Sequence, residues 1–173
     1  MGKRARLAAS LLSVLLLSAT ARAADTSPAA EPPLVGRIEI PRLNLSAPVR
    51  EGSEDETLRL AVGHIEGTAH PGELGNSGLA AHRNTFFRPL KDVRMGDLVV
   101  VKTGGGVFSY RVDSIGVVAP TEVSVLKPTP KETLTLVTCY PFDAIAAGGP
   151  LRYVVSAVID GDAGEPSLAT IGT

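Results

Sequence analysis

Thirteen prolines and 18 glycines cut this chain into short runs, and that punctuation limits its fold more than any other feature. The two residues are the strongest breakers of regular elements, and here they favour many short strands joined by turns over a helical bundle. VGRIEI (35–40) alternates apolar and polar side chains and is closed by Pro41. Ala47 to Val49 and Leu79 to Ala81 are shorter apolar runs. Leu98 to Lys102 and Val107 to Ile115 face each other across TGGG (103–106), which reads as a hairpin turn because no helix follows it to make a phosphate loop. Leu134 to Thr138 and Leu151 to Ile159 are the strongest strands. Helix is confined to EDETLRLA (54–61), with Ser53 as its cap and three acids in its first turn, and to a helical turn at FFRPL (86–90). Gly63 to Gly78 is turn-rich, and Val117 to Pro130 is a long connection. At least seven short strands with little helix predict an all-β closed barrel or a sandwich.

The 173 residues suffice for one domain with its own core. Residues 1–23 stand apart from it. Lys3, Arg4 and Arg6 precede an apolar stretch from Leu7 to Ala21. That stretch is shorter than the roughly 20 residues a membrane span needs, and Ala21-Arg22-Ala23 fits a small-x-small cleavage site. The segment reads as a cleaved export signal, or alternatively as an uncleaved N-terminal membrane anchor. Residues 24–33 are a Pro-rich linker, 34–160 the barrel, and 161–173 a flexible tail. Without residues 1–23 the chain carries 13 bases against 18 acids, a net −5, so nothing in its charge argues for nucleic acid as a partner.

Export gives the single cysteine, Cys139, a special interest. Outside the cytoplasm cysteines usually pair, and one alone cannot close an internal disulfide. Three readings stand: a buried inert thiol, an intermolecular bridge, and a reactive nucleophile. On count alone the inert thiol comes first, since free cysteine is among the most buried residue types. The ends of the apolar runs tell for the third reading. His82 follows one, Cys139 ends another and Arg152 opens a third. An imidazole or a guanidinium beside a thiol favours the thiolate. Thirteen positions separate Cys139 from Arg152, which is a loop and the start of the next strand; His82 lies 57 positions before Cys139, a distance only folding can close.

Three segments carry a resemblance to a known family. LAAHRNTFFRPL, TLTLVTC and GGPLRYVV occur in that order, and together they resemble the histidine motif, the nucleophile motif and the arginine strand of the sortases. GHIEGTAHPGELGNSGLAAHR and TCYPFDA are most similar to class D sortases and their Gram-negative relatives. Two features depart from the family pattern: Ala81 stands where many members have glycine, and the leader is short. The resemblance implies a closed barrel of about eight strands with one or two short helices. It implies a cysteine transpeptidase acting outside the cytoplasm, at the periplasm or the outer face of the cytoplasmic membrane. Such an enzyme cleaves an LPXTG-like sorting signal near the C-terminus of a secreted protein through a thioacyl-enzyme and passes the acyl group to an amine. Cys139 would be the nucleophile, His82 the general acid and base, and Arg152 the oxyanion donor. Thr138 is expected to orient Arg152 or the substrate, and Val123, Val125, Leu126 and Tyr140 to line the substrate groove. A cysteine peptidase that only hydrolyses and a non-catalytic binding barrel are the rival readings.

No cofactor is implied and no metal is expected. His64 and His70 lie near Glu66 and Glu73, but their spacing is not a usual zinc pattern and they read as structural. Some sortases hold calcium on loop carboxylates; here Glu122 and Glu132 have few acidic neighbours. Phe86 and Phe87 are expected to pack under the barrel rim and fix His82.

Overall fold

The structure, a computed structural model, describes residues 31–144 and 148–161. The expectations for residues 1–23, for the linker before residue 31 and for the tail after residue 161 fall outside the described residues. Among the described residues there are eight strands: β1 Leu34–Ile40, β2 Leu45–Glu51, β3 Val62–His64, β4 Asn76–Ala80, β5 Leu98–Thr103, β6 Gly106–Val118, β7 Thr133–Tyr140 and β8 Leu151–Ile159. One short helix, α1 (Asp55–Leu60), lies between β2 and β3. The strands close into a barrel in the order β1-β2-β3-β4-β7-β8-β6-β5, with β5 pairing back onto β1. Closure leaves no sheet edge exposed. Among the described residues no helix is long and apolar enough to cross a membrane.

Alternation builds the core. Ile38 and Ile40 of β1, Val99 and Val101 of β5, and Leu134 and Leu136 of β7 all point inward and are fully buried. Each buries a branched side chain worth about 1.5–3 kcal/mol of transfer free energy. Two of the pairings are parallel, β2 with β3 and β4 with β7. A parallel pair needs a crossover, and α1 provides the one between β2 and β3. At Gly36 the neighbouring strand is so close that a Cβ would sit 2.1 Å from the Lys102 carbonyl oxygen, so only glycine fits there.

The expected all-β barrel is present, and its strand ends differ in informative ways. β3 begins one residue before the segment read as turns and runs into it; its three residues are too short and glycine-containing to show a period. β4 begins at Asn76 rather than Leu79, and β6 runs on to Val118. Ser53 does not cap α1: Glu54 occupies the cap position and no side chain bonds the free N–H groups. The long connection after β6 contains a 3₁₀ turn, Val123–Leu126.

A clasp closes one end of the barrel. Arg42, in the turn between β1 and β2, donates to both carboxylate oxygens of Asp97 at 2.5 Å and to the Asp92 carbonyl. The Arg94 N–H also reaches Asp97. The Arg42 hydrogen bonds hold the Asp97 carboxyl below its ordinary value, against burial, which pushes it up. A depressed carboxylate contributes stability above its unfolded value of about 3.9 and loses it as pH falls through the folded value. Melting temperature should therefore fall below about pH 4 more steeply in the wild type than in Asp97→Asn, as a thermal scan across pH will read.

Candidate active site

The site follows from strand register. β4 and β7 run parallel with Gly78 opposite Thr135 and Ala80 opposite Val137. The Ala81 N–H donates to the Val137 carbonyl at 3.3 Å and carries the ladder past the end of β4. Two positions beyond Ala80 and Val137, on the same face, come His82 and Cys139. On the other side β7 pairs antiparallel with β8, and Cys139 lies directly opposite Arg152. Adjacent strands are about 4.8 Å apart, so Cys139 and Arg152 are strand neighbours, and His82 follows just past the end of β4, the strand on the other side of β7. Leu134 and Leu136 face the core, so Cys139, at odd register from them, faces out of the barrel.

A groove of about 700 Å³ opens here, lined by His82, Cys139 and Arg152 together. All three are half-buried, wet enough to meet substrate and dry enough for charges to matter. Asp55 and Arg59 of α1 and the adjoining Arg83 also line it. Three arginines and one aspartate thus border the groove.

Each group is held by its own surroundings. Beyond β4 the backbone turns sharply: the N–H groups of Thr85 and Phe87 both reach the His82 carbonyl, at 3.2 and 3.3 Å. Phe87 is fully buried in the core and Phe86 packs partly against it, as the sequence led one to expect. Arg152 Nη1 donates to the carbonyls of Gly149 and Leu151, both at 3.0 Å. Arg83, next to the histidine and buried, ties down the β7–β8 loop by donating to Ala144 O at 2.8 Å and to Gly148 O. Sequence reading passed over Arg83; its signal was a charged residue wedged between the histidine and a run that enters the core.

The structure treats the other expected site residues differently. Thr138 borders the groove, but its hydroxyl donates to the Ala81 carbonyl at 2.7 Å. It thereby ties β7 to the strand that delivers His82. Val123, Val125, Leu126 and Tyr140 are not among the groove-lining residues. Val123 is exposed, and the Val125 carbonyl accepts from the Asn76 side chain. The Leu126 side chain rests on Gly78, whose added Cβ would lie 3.0 Å from it. Tyr140 stacks on Tyr153 at 6.1 Å beside Phe142. Burial, and then Tyr140, push the Tyr153 phenol above its ordinary value.

Comparison with known proteins gives the family. The family model described as the sortase domain matches residues 38–160. The chain belongs to the sortase family. It is 33% identical over 121 residues to Sortase D of Bacillus subtilis, covering 69% of this chain and 61% of that protein. It is 39% identical over 123 residues to Sortase SrtE1 of Streptomyces coelicolor, covering 60% of this chain and 35% of the other. Among solved structures it resembles a Sortase D5 transpeptidase of Clostridium perfringens, with a TM-score of 0.67, 32% identity, and coverage of 74% of this chain and 79% of that one. The matched region thus spans only part of its curated relatives' length. The class D likeness read from the sequence agrees with two of these sortases.

Proposed function

We propose that this sortase is a cysteine transpeptidase acting outside the cytoplasm on a secreted protein that carries a C-terminal sorting signal, LPXTG-like in form. The groove that His82, Cys139 and Arg152 line together, with Cys139 directly opposite Arg152, is the observation that carries the reading. Cys139 attacks the carbonyl at the cleavage point, and the carbonyl oxygen becomes an oxyanion as the C–S bond forms. Arg152, directly across the strand pair, supplies fixed charge and N–H donors to that oxyanion. His82, on the other side of the sulfur, protonates the departing amine and later takes a proton from the incoming one. The product of the first half is a thioacyl-enzyme on Cys139, and an amine resolves it. Arg59, Arg83 and Arg152 border the groove and place positive charge near an anionic transition state. Residues 1–23, as export signal or anchor, would bring the chain to the envelope.

The deciding experiment is mass spectrometry of the enzyme mixed with a panel of sorting-signal peptides, with and without an added amine. A thioacyl mass on Cys139 together with amine-dependent product supports transpeptidation. Equal product with and without amine would make the chain a hydrolase, and an unreactive Cys139 would leave only a binding barrel.

Arg83 should matter to this reaction through the loop it holds. It fastens the carbonyls of Ala144 and Gly148, and so the loop from which Arg152 departs. Arg83→Met keeps the stem and loses both anchors. Peptide kcat/KM should fall by about 10²-fold, the usual result of a displacement near 1 Å at a reacting centre. Labelling of Cys139 by a small thiol reagent should change far less.

A further inference from the structure

The β2–β3 pairing builds a second cluster of reactive side chains, apart from the catalytic candidates. Glu51 is the register partner of His64, and the following loop folds His70 back onto them. Ligating atoms of Glu51, His64 and His70 all lie within 4.8 Å of one another. The His64 and His70 rings stack at 4.5 Å with 17° between their planes. The expectation that these histidines are merely structural weighed Glu66 and Glu73 as neighbours; the acid that approaches is Glu51, contributed by another strand.

The hydrogen bonds of His64 define which nitrogen is open. The residue is buried, at 1% exposure. Its Nε2 is 2.9 Å from the Ala69 carbonyl oxygen and 3.2 Å from Thr68 Oγ1. A carbonyl only accepts. The Thr68 hydroxyl already donates to the Ile65 carbonyl at 2.6 Å and accepts from the Gly78 N–H at 3.0 Å. Neither partner has a proton to give, so Nε2 is the donor. The lone pair in the corresponding neutral tautomer is on Nδ1, which faces both oxygens of Glu51 at 3.0 and 3.1 Å. A lone pair and a carboxylate repel unless a proton or a cation lies between them. A histidine whose far nitrogen is pinned by a backbone carbonyl, with its near nitrogen aimed at a carboxylate, has the outer-shell arrangement of a metal ligand.

We propose that Glu51, His64 and His70 bind a divalent late transition metal of the zinc class. Two imidazoles and a carboxylate are a zinc-type donor set, and they disfavour calcium and magnesium, which prefer oxygen. Metal–ligand bonds near 2.1 Å in a tetrahedron put ligand atoms about 3.4 Å apart, so the cluster must contract modestly. His70 is exposed and Glu51 half-buried, and both can turn; the His70 backbone stays held through its N–H, which the Glu73 carboxylate accepts at 3.0 Å. The fourth position opens toward a cavity of about 500 Å³ that Glu51, His70 and Glu73 line. The site would cross-link β2, β3 and the loop to β4. Ile65, next to His64, lines the catalytic groove and packs against the position of Gly78, so the metal would stiffen that wall of the groove. The inference does not depend on the proposed transpeptidation.

The test is a calorimetric titration of the tag-free full chain with Zn²⁺. A Cys139→Ala background removes the catalytic thiol as a competing ligand. One saturable site per chain is expected, with a matching rise in melting temperature as zinc is added. His70→Ala and Glu51→Gln, whose changes spare the buried His64, should each weaken binding roughly tenfold or more and abolish the zinc-dependent rise in melting temperature. Melting of the zinc-free variants checks that they are folded. Absence of a saturable site in the folded parent overturns the proposal, and so does a site that keeps its affinity in either folded variant.

Discussion

Cys139→Ala should reduce peptide cleavage and amine transfer to background while the barrel stays folded. Removing a covalent nucleophile typically costs on the order of 10⁴–10⁶ in turnover. The structural cost should be small. Cys139 is half-buried on the outer face of β7, where an alanine leaves a short gap open to the groove and no closed cavity. The backbone pairing of residue 139 with Arg152 does not depend on its side chain. Because the chain has one cysteine, a thiol reagent reports on a single position. The expected result is three-part: activity lost, thioacyl adduct absent from the mass spectrum, melting temperature nearly unchanged. Retained activity would remove the sulfur from the mechanism altogether. Activity lost together with the fold would say nothing about chemistry; in that event Cys139→Ser, closer in size, takes its place and must be folded and inactive.

The residues that brought out the barrel and those that hid its details differ in one respect, the range of the interaction that decides them. β7 and β8 were legible because a run of branched residues is a local signal, and the hairpin across TGGG because its turn chemistry is local too. β3 was not, since Val62–His64 becomes a strand only by lying between β2 and β4. The same reason hid the neighbourhood of His64. Glu51 reaches it through a parallel pairing across α1, and no sequence spacing encodes that. The catalytic candidates could be named from motifs, yet their convergence rests on Ala80 pairing with Val137 in parallel, across more than fifty residues of chain. Val123, Val125 and Leu126 show a different limit of local reading. Their apolar character suited a pocket, but apolarity does not say which surface a side chain will cover. Leu126 covers Gly78, and Val123 stays in solvent. Thr138, read as orienting Arg152 or the substrate, borders the groove while its hydroxyl donates to the Ala81 carbonyl, a partner that only folding brings near.

Arg152→Lys should be nearly as damaging as removing the guanidinium outright, with a loss of about 10²–10³ in turnover. The two side chains carry the same charge, so a mechanism needing only a positive field near Cys139 would tolerate the exchange. The observed geometry asks for more. Arg152 Nη1 is occupied by the carbonyls of Gly149 and Leu151, both at 3.0 Å. Those two bonds brace Nη1 at the root of the β7–β8 loop, and Arg152 also lines the groove over Cys139. A guanidinium has five donors in a rigid plane and can brace and donate at once; an ammonium is a compact point charge with three donors on a flexible stem. Lysine would therefore satisfy the loop carbonyls or the oxyanion, but not both in a fixed orientation. The split between kinetic steps tests this directly. Alkylation of Cys139 by a small reagent, which forms no oxyanion, should change little in Arg152→Lys. Acylation by peptide should fall by the full factor, with KM altered much less than kcat. Equal losses in both reactions would mean that Arg152 acts on the thiolate itself, and the oxyanion role assigned to it would then have to be given to another donor in the groove.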